Sequence, residues 1–269
     1  MAKSRAFQDI VTRRKLLGIM GGAAVAAIVG CSSKSQPSSG GAINTPAATP
    51  TDTPAATSTA GVAGVTTTRT VSCVVKPQQT EGPYFVDEKL NRSDIRSDPS
   101  DGSVKEGLPL QLAFLVSQIG SNACTPLEGA TVDIWHCDAL GVYSDVSDPG
   151  FNTQGKKYLR GYQVTDANGI AQFTTIYPGW YQGRTVHIHF KIRANSGTGS
   201  AYEFTSQLFF DDSISDQVFA QEPYTAKGGR TLRNDGDGIY QDGGDQLTLQ
   251  LTPQAQGYST TFNIGLQMA

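Results

Sequence analysis

Between Ile176 and Phe190 the chain reads IYPGWYQGRTVHIHF, which crowds Tyr181, Arg184, His187 and His189 into one short stretch. On a strand, side chains alternate between faces, so Val186, Ile188, Phe190 and Ile192 share one face. His187, His189, Lys191 and Arg193 share the other. The apolar set belongs to a core, and the two imidazoles then stand side by side with reach to a common point. A polar sheet face that merely uses histidine would look the same. Histidine, however, occurs only three times in the chain, and two of the three sit here. That favours a metal site. No acidic residue follows His189 before Glu203, so a carboxylate ligand close behind the pair is absent. The neighbouring donor is Tyr181, carried by the Pro178-Gly179 turn. Phenolates are hard anionic ligands, and two of them would favour ferric over ferrous iron, with the second phenol supplied from elsewhere in the chain.

The elements that must hold these residues are strands. LPLQLAFLV (108–116), ATVDIWHC (130–137), YLRGYQVT (158–165), AQFTTIY (171–177), TVHIHFKIR (185–193), YEFTSQLFF (202–210), QLTLQLT (246–252) and YSTTFNIGL (258–266) are rich in β-branched and aromatic residues. Asn168-Gly169 and Pro178-Gly179 mark turns between them. SISDQVFAQ is the one short helix predicted in the second half, since no longer segment sustains a 3.6-residue apolar period. About eight strands with short connections predict an all-β fold, an antiparallel β-sandwich whose long loops form the metal site. The glycine- and aspartate-rich run NDGDGIYQDGGD (234–245) lacks the ligand order of an EF-hand loop and reads as a solvated turn.

The first 71 residues belong to no such fold. A basic start is followed by an apolar run, Leu16 to Gly30, shorter than the roughly 20 residues a membrane-spanning helix needs. Residues 1–30 therefore have signal-peptide proportions. Thr12-Arg13-Arg14-Lys15-Leu16-Leu17 looks like a twin-arginine export signal, against the plainer alternative of a generic basic region. Ile28-Val29-Gly30-Cys31 resembles the site at which bacterial lipoproteins are cleaved and acylated, which makes Cys31 the expected lipid carrier. Residues 31–71 continue as a Ser/Thr/Pro/Ala linker, too poor in large apolar side chains to offset its ordering entropy and so expected to be a disordered spacer. A folded domain over 72–269 remains, on the extracytoplasmic side of a bacterial membrane. Residues 1–30 hold five of the 21 basic and one of the 24 acidic residues, leaving 16 against 23, a net charge of about −7. With no basic cluster left, nucleic acid is not an expected partner.

Three cysteines follow Cys31: Cys73, Cys124 and Cys137. The strand from Thr131 to Cys137 puts some 20 Å between Cys137 and the turn that carries Cys124. A disulfide needs Cα atoms within about 7 Å. The expected pair is Cys73 and Cys124, with Cys137 a buried free thiol.

Taken together, TEGPYF (80–85), LNRSDIR (90–96), GLPLQLAFLV (107–116), CTPLEGATVDIWHCDALGVYSDV (124–146), YLRGYQVTDANGIAQFTTIYPGWYQGRTVHIHFKI (158–192) and TSQLFFDD (205–212) resemble the intradiol ring-cleavage dioxygenases. These are non-haem ferric enzymes that include the catechol and protocatechuate dioxygenases, and the likeness is nearest their short exported branch. It covers nearly all of the folded part. The resemblance implies Fe(III) held by Tyr143, Tyr181, His187 and His189, with Tyr181 the ligand that leaves when substrate binds. It implies Arg184 and Gln207 as polar groups beside the substrate ring, and Tyr84 at the substrate mouth. Tyr143 and Gln207 come from the resemblance alone. The implied substrates are a small catechol and O2, and the implied product is a muconate-type diacid. Arg184 keeps its proton and so offers a fixed positive charge to an electron-rich ring.

Two departures stand out. Catechol dioxygenases carry a helical N-terminal dimerisation region where this chain has its linker, and only five residues separate Tyr181 from His187. Both imply a more open pocket. Two other functions compete: a zinc-dependent hydrolase built on His136, His187 and His189, and a non-catalytic surface sandwich that binds a partner. The resemblance instead makes His136 a hydrogen-bonded structural residue.

Overall fold

A computed structural model of the chain describes residues 74–268 apart from 122, 196–198 and 200. The expected signal region, Cys31, the linker and Cys73 fall outside the described residues. In chain order the strands are β1 (Pro109–Ile119), β2 (Cys124–Pro126), β3 (Thr131–Trp135), β4 (Ser147–Asp148), β5 (Phe151–Asn152), β6 (Arg160–Val164), β7 (Ile170–Ile176), β8 (His187–Asn195), β9 (Ala201–Phe209), β10 (Thr252–Pro253) and β11 (Tyr258–Leu266). The α-helices are α1 (Asp212–Phe219) and α2 (Gly238–Gln241).

One sheet runs β10-β11-β1-β2, with β7 also paired to β1; the other runs β6-β3-β8-β9, and β4-β5 is a separate hairpin. The period-two pattern of β1 sends Leu110, Leu112, Phe114 and Val116 inward. Their counterparts on β8 are Ile188, Phe190 and Ile192, all fully buried. The sheets meet through aromatic rings: Phe114 lies 5.3 Å from Phe190, and Phe262 lies 5.5 Å from Phe190. Tilted pairs at this spacing suit the ring quadrupole, and each buried ring adds roughly 1.5–3 kcal/mol of transfer free energy.

Seven of the eight predicted strands form near their predicted places. The exception is 246–252, which contains a 3-10 turn (Gly244–Leu247) and only the short β10. Its alternation still operates, because Leu247 and Leu249 are buried while Gln246 and Gln250 are exposed. What it lacks is a ladder: an isolated bridge joins Thr248 to Phe209, and the Leu249 amide donates to the Phe209 carbonyl at 2.9 Å. A second difference is that β1 and β11 pair in parallel, from Leu110–Tyr258 to Gln118–Leu266. The antiparallel expectation suits hairpin neighbours, whereas β11 returns to β1 from the far end of the chain, after β2 to β10 and both helices, a long connection of the kind that permits parallel pairing.

The predicted helix forms as α1, its N-terminus capped by Asp211, whose side chain accepts from the Ser213 and Ile214 amides. Cys124 is disulfide-bonded, and Cys137 is a buried free thiol, so these two are not joined to each other.

Candidate metal centre

Strand register builds the floor of the site. His189 on β8 pairs with Trp135 on β3 and with Gln207 on β9, so one row of side chains crosses three strands on one face. Trp135 stacks flat on the His189 ring, with centroids 5.0 Å apart and planes within 5°. His187 stands one pleat away on the same face. Both histidines are almost wholly buried, because the segment before β1 covers the face that the period-two pattern turns away from the core.

Two loops bring in the phenols. The loop after β3 is wound around Asp138, whose Oδ1 accepts from the Leu140 and Val142 amides, both at 3.0 Å. This delivers Tyr143 to the end of the row. The loop after β7 carries Pro178, Gly179 and Tyr181, and it lies directly against the first, with the Gly179 amide donating to the Asp138 carbonyl at 3.1 Å. Neither loop tolerates a side chain at the crossing. A Cβ on Gly141, which also has φ +77°, would stand 2.1 Å from the Trp180 oxygen, and one on Gly179 would stand 2.4 Å from the Ala139 oxygen. The Tyr143 and Tyr181 rings end 5.7 Å apart, edge to face.

The four donors converge. His187 Nε2 lies 3.0 Å from His189 Nε2 and 3.1 Å from the Tyr181 hydroxyl. His187 Nδ1 lies 2.6 Å from the Thr185 carbonyl, which only accepts, so the proton sits on Nδ1 and the Nε2 lone pair faces its neighbours. Donor atoms about 2.1 Å from one ion and at right angles lie about 3.0 Å apart, the spacing found here. The Tyr143 hydroxyl is buried and makes no well-formed hydrogen bond to any described group. Its polar neighbour among the described residues is the other phenol, Tyr181, so a bound cation would satisfy both oxygens better than they satisfy each other.

Electrostatics point the same way. Burial pushes the Tyr143 phenol well up and raises Tyr181 as well, while the Arg184 guanidinium opposes both shifts. Burial lowers His187 to about 3 and His189 well below its ordinary value; Arg184 reinforces both. The imidazoles are therefore neutral, as ligands must be. The phenols need a strong cation to ionise, because their surroundings alone hold them protonated. A ferric ion fits a set of two ionisable phenols and two neutral imidazoles.

Arg184 is held on two sides. Its Nε donates to Asp237 Oδ2 at 2.8 Å and its Nη2 to Gln207 Oε1 at 2.6 Å. Gln207 is anchored in turn by donating to the Thr80 carbonyl at 2.9 Å. Tyr84 lies over the phenols, its ring 4.5 Å from Tyr143 and 6.3 Å from Tyr181, and its hydroxyl donates to Asp148 Oδ2 at 2.7 Å. All six residues expected at the site, with Tyr84 beside them, are thus gathered at one end of the β3-β8-β9 sheet.

Three contributors were not singled out in the sequence. Trp135 fixes the His189 ring. Buried Arg160 donates to the Tyr84 carbonyl and three times to Ser144, tying the residue after Tyr143 to the segment that carries Tyr84. Asp237 comes from the run expected to be a solvated turn. That expectation is corrected: Asn234 and Asp237 are buried, and Asp237 caps α2 while pairing with Arg184. Only the register of β3 against β8, or a contact between distant loops, could have exposed these roles.

His136 does not join the other histidines. Its Nδ1 donates to the Cys137 carbonyl at 2.8 Å, and its Nε2 accepts from the Thr175 hydroxyl at 2.7 Å. Among the described residues no three His, Cys, Asp or Glu side chains converge on a common point, so the three-histidine zinc site is set aside.

A sandwich that gathers two phenols and two imidazoles at a sheet end can be compared with known proteins, and the relatives are dioxygenases. The family described as Dioxygenase matches residues 80–235. An intradiol ring-cleavage dioxygenase from Tetranychus urticae is 32% identical with a TM-score of 0.63, over 72% of this chain and 95% of that one. The dioxygenase domain of a dioxygenase–carbohydrate-binding protein fusion from Streptomyces sp. SirexAA-E is 28% identical with a TM-score of 0.52, over 73% of this chain and 100% of that one. Catechol 1,2-dioxygenase 1 of Acinetobacter lwoffii is 26% identical over 200 residues, 64% of this chain but only 61% of its own length. The chain belongs to the intradiol ring-cleavage dioxygenase family.

Proposed function

We propose that this protein is an Fe(III)-dependent intradiol dioxygenase that inserts both atoms of O2 into a catechol-type ring between the two hydroxylated carbons, giving a muconate-type diacid. The observation that carries the reading is the buried Tyr143 hydroxyl, which has no well-formed hydrogen bond, beside three other converging donors. Tyr143, Tyr181, His187 and His189 would hold the iron, which when bound supplies Lewis acidity and draws electron density from a catecholate.

The chain's own residues do the rest. Tyr143 is fully buried, whereas Tyr181 is partly exposed and is the phenol an arriving diol can reach. Burial raises the Tyr181 pKa, so this side chain would hold a proton received from a substrate hydroxyl readily. Arg184 cannot lose its own proton and presents a fixed charge to the electron-rich ring. Gln207 holds that guanidinium from the sheet side. Tyr84 walls the site over both phenols.

The same proposal places the enzyme outside the cytoplasm, exported by residues 1–30 and anchored through a lipid on Cys31; the basic-then-apolar leader and the residues before Cys31 support this. Oxygen uptake with catechol, protocatechuate, hydroxyquinol and substituted catechols tests the activity. Consumption of O2 matched to formation of a ring-opened diacid is expected for at least one of them. An iron-loaded protein that consumes no O2 with any of these diols refutes the proposal.

A further inference from the structure

We infer that Asp237 is a positioning residue for the reaction, acting through Arg184. This rests on the dioxygenase reading above and concerns a residue outside the donor set. Asp237 is 2% exposed, and each of its oxygens has two partners. Oδ2 accepts from Arg184 Nε at 2.8 Å and from the Thr185 amide at 2.7 Å. Oδ1 accepts from the Ile239 and Tyr240 amides at 2.8 and 3.2 Å, capping α2. One carboxylate therefore clamps the side chain of residue 184 and the backbone of residue 185 to a helix end.

The neighbours of the clamp reach the donors. The Thr185 carbonyl accepts from His187 Nδ1 and so orients that ring, and the Thr185 hydroxyl is tied to Asn234 at 2.6 Å. Asn234 donates in turn to the Phe210 carbonyl at 2.8 Å. Arg184 is held by Asp237 through Nε and by Gln207 through Nη2, so the two partners together fix the plane of the guanidinium. A guanidinium with only Gln207 as partner would keep its charge but lose its aim. It would also stand as a largely buried cation without a counter-ion, which is strongly unfavourable. Outer-shell partners of this kind typically change activity by about 10–100-fold when removed.

Asp237→Asn separates the charge from the helix cap, because asparagine caps helices about as well as aspartate. Steady-state kinetics on the iron-loaded protein should show kcat reduced by about 10–100-fold. KM should change by less than about threefold, with iron content and visible absorption as in the wild type. Asp237→Glu, which restores the charge, should recover part of the loss. In an Arg184→Gln background, Asp237→Asn should cost little more than Arg184→Gln alone, since the clamp then has nothing to aim. Should D237N not accumulate as folded protein, that double variant carries the test, as it contains no unpaired guanidinium. A kcat for D237N within twofold of wild type, equal losses in D237N and D237E, or a further tenfold loss in the double variant would each overturn the inference. An inactive wild type would instead remove the dioxygenase reading itself.

Discussion

One face of β8 buries polar groups at both ends, and the two ends are built differently. At the far end Lys191 is paired with Glu81 and Glu203, and Arg193 with Asp87 and Asp133. Lys191 also lies over the Phe85 ring at 4.3 Å. Each cation there has two carboxylates, so its charge is balanced within the protein even though the Arg193 Nε makes no hydrogen bond. At the near end His187, His189, Tyr143 and Tyr181 have mainly one another, and the Tyr143 hydroxyl has no well-formed bond. Buried polar groups normally find partners, so a cluster whose partners are donors of the same kind is built around something else. The contrast separates structural polarity from a site on a single strand.

The largest test of that contrast is Arg184→Gln. Removing a fixed charge aimed at developing negative charge typically costs about 10²–10³-fold in kcat. Steady-state oxygen uptake should show that loss, while metal analysis shows iron still bound; unchanged turnover would mean that Arg184 belongs with the structural ion pairs of the other end.

The third histidine sharpens the comparison on a smaller scale, because His136 is buried but fully partnered. Burial lowers its pKa to about 4 in the folded protein, against about 6.5 when unfolded. Above pH 6.5 both states are neutral and the ring makes stability no pH-dependent contribution. As pH falls toward 4 the unfolded chain binds a proton that the buried ring refuses, so stability drops by roughly 3 kcal/mol. Urea unfolding at pH 7 and pH 4.5 should show this decline together with those of His187 and His189, and His136→Gln should make it smaller without abolishing it. An unchanged slope would place the acid sensitivity elsewhere.

The smallest effect is expected at the far end. Lys191→Met leaves Glu81 and Glu203 hydrated, since their side chains are 40% and 53% exposed. Stability should change by no more than about 1 kcal/mol, and iron content and turnover should stay near wild type. Loss of iron in this variant would erase the distinction between the two ends.

Legibility in the sequence follows the same division. His187, His189, Tyr181 and Arg184 lie within nine positions, so strand period and a turn signal were enough to group them. Tyr143 and Gln207 are ordinary strand and loop residues by type, and only the resemblance to a family marked them. Asp237 was misread because a run of glycines and aspartates looks solvated, while its burial depends on Arg184, 53 positions away. Leu247 and Leu249 show a subtler limit. Their alternation correctly reported burial, but alternation does not say whether a neighbouring strand exists to complete a ladder. Local pattern determined which side chains face inward; long-range pairing determined what they meet there.

The central claim is a ferric ion shared by two phenolates and two imidazoles, and colour reports on it directly. Purified iron-loaded protein should be red-brown from tyrosinate-to-Fe(III) charge transfer, and Tyr143→Phe should weaken that absorption or lose the iron. Iron-replete wild-type protein with no visible band, or a Tyr143→Phe protein that keeps both band and iron unchanged, would contradict it.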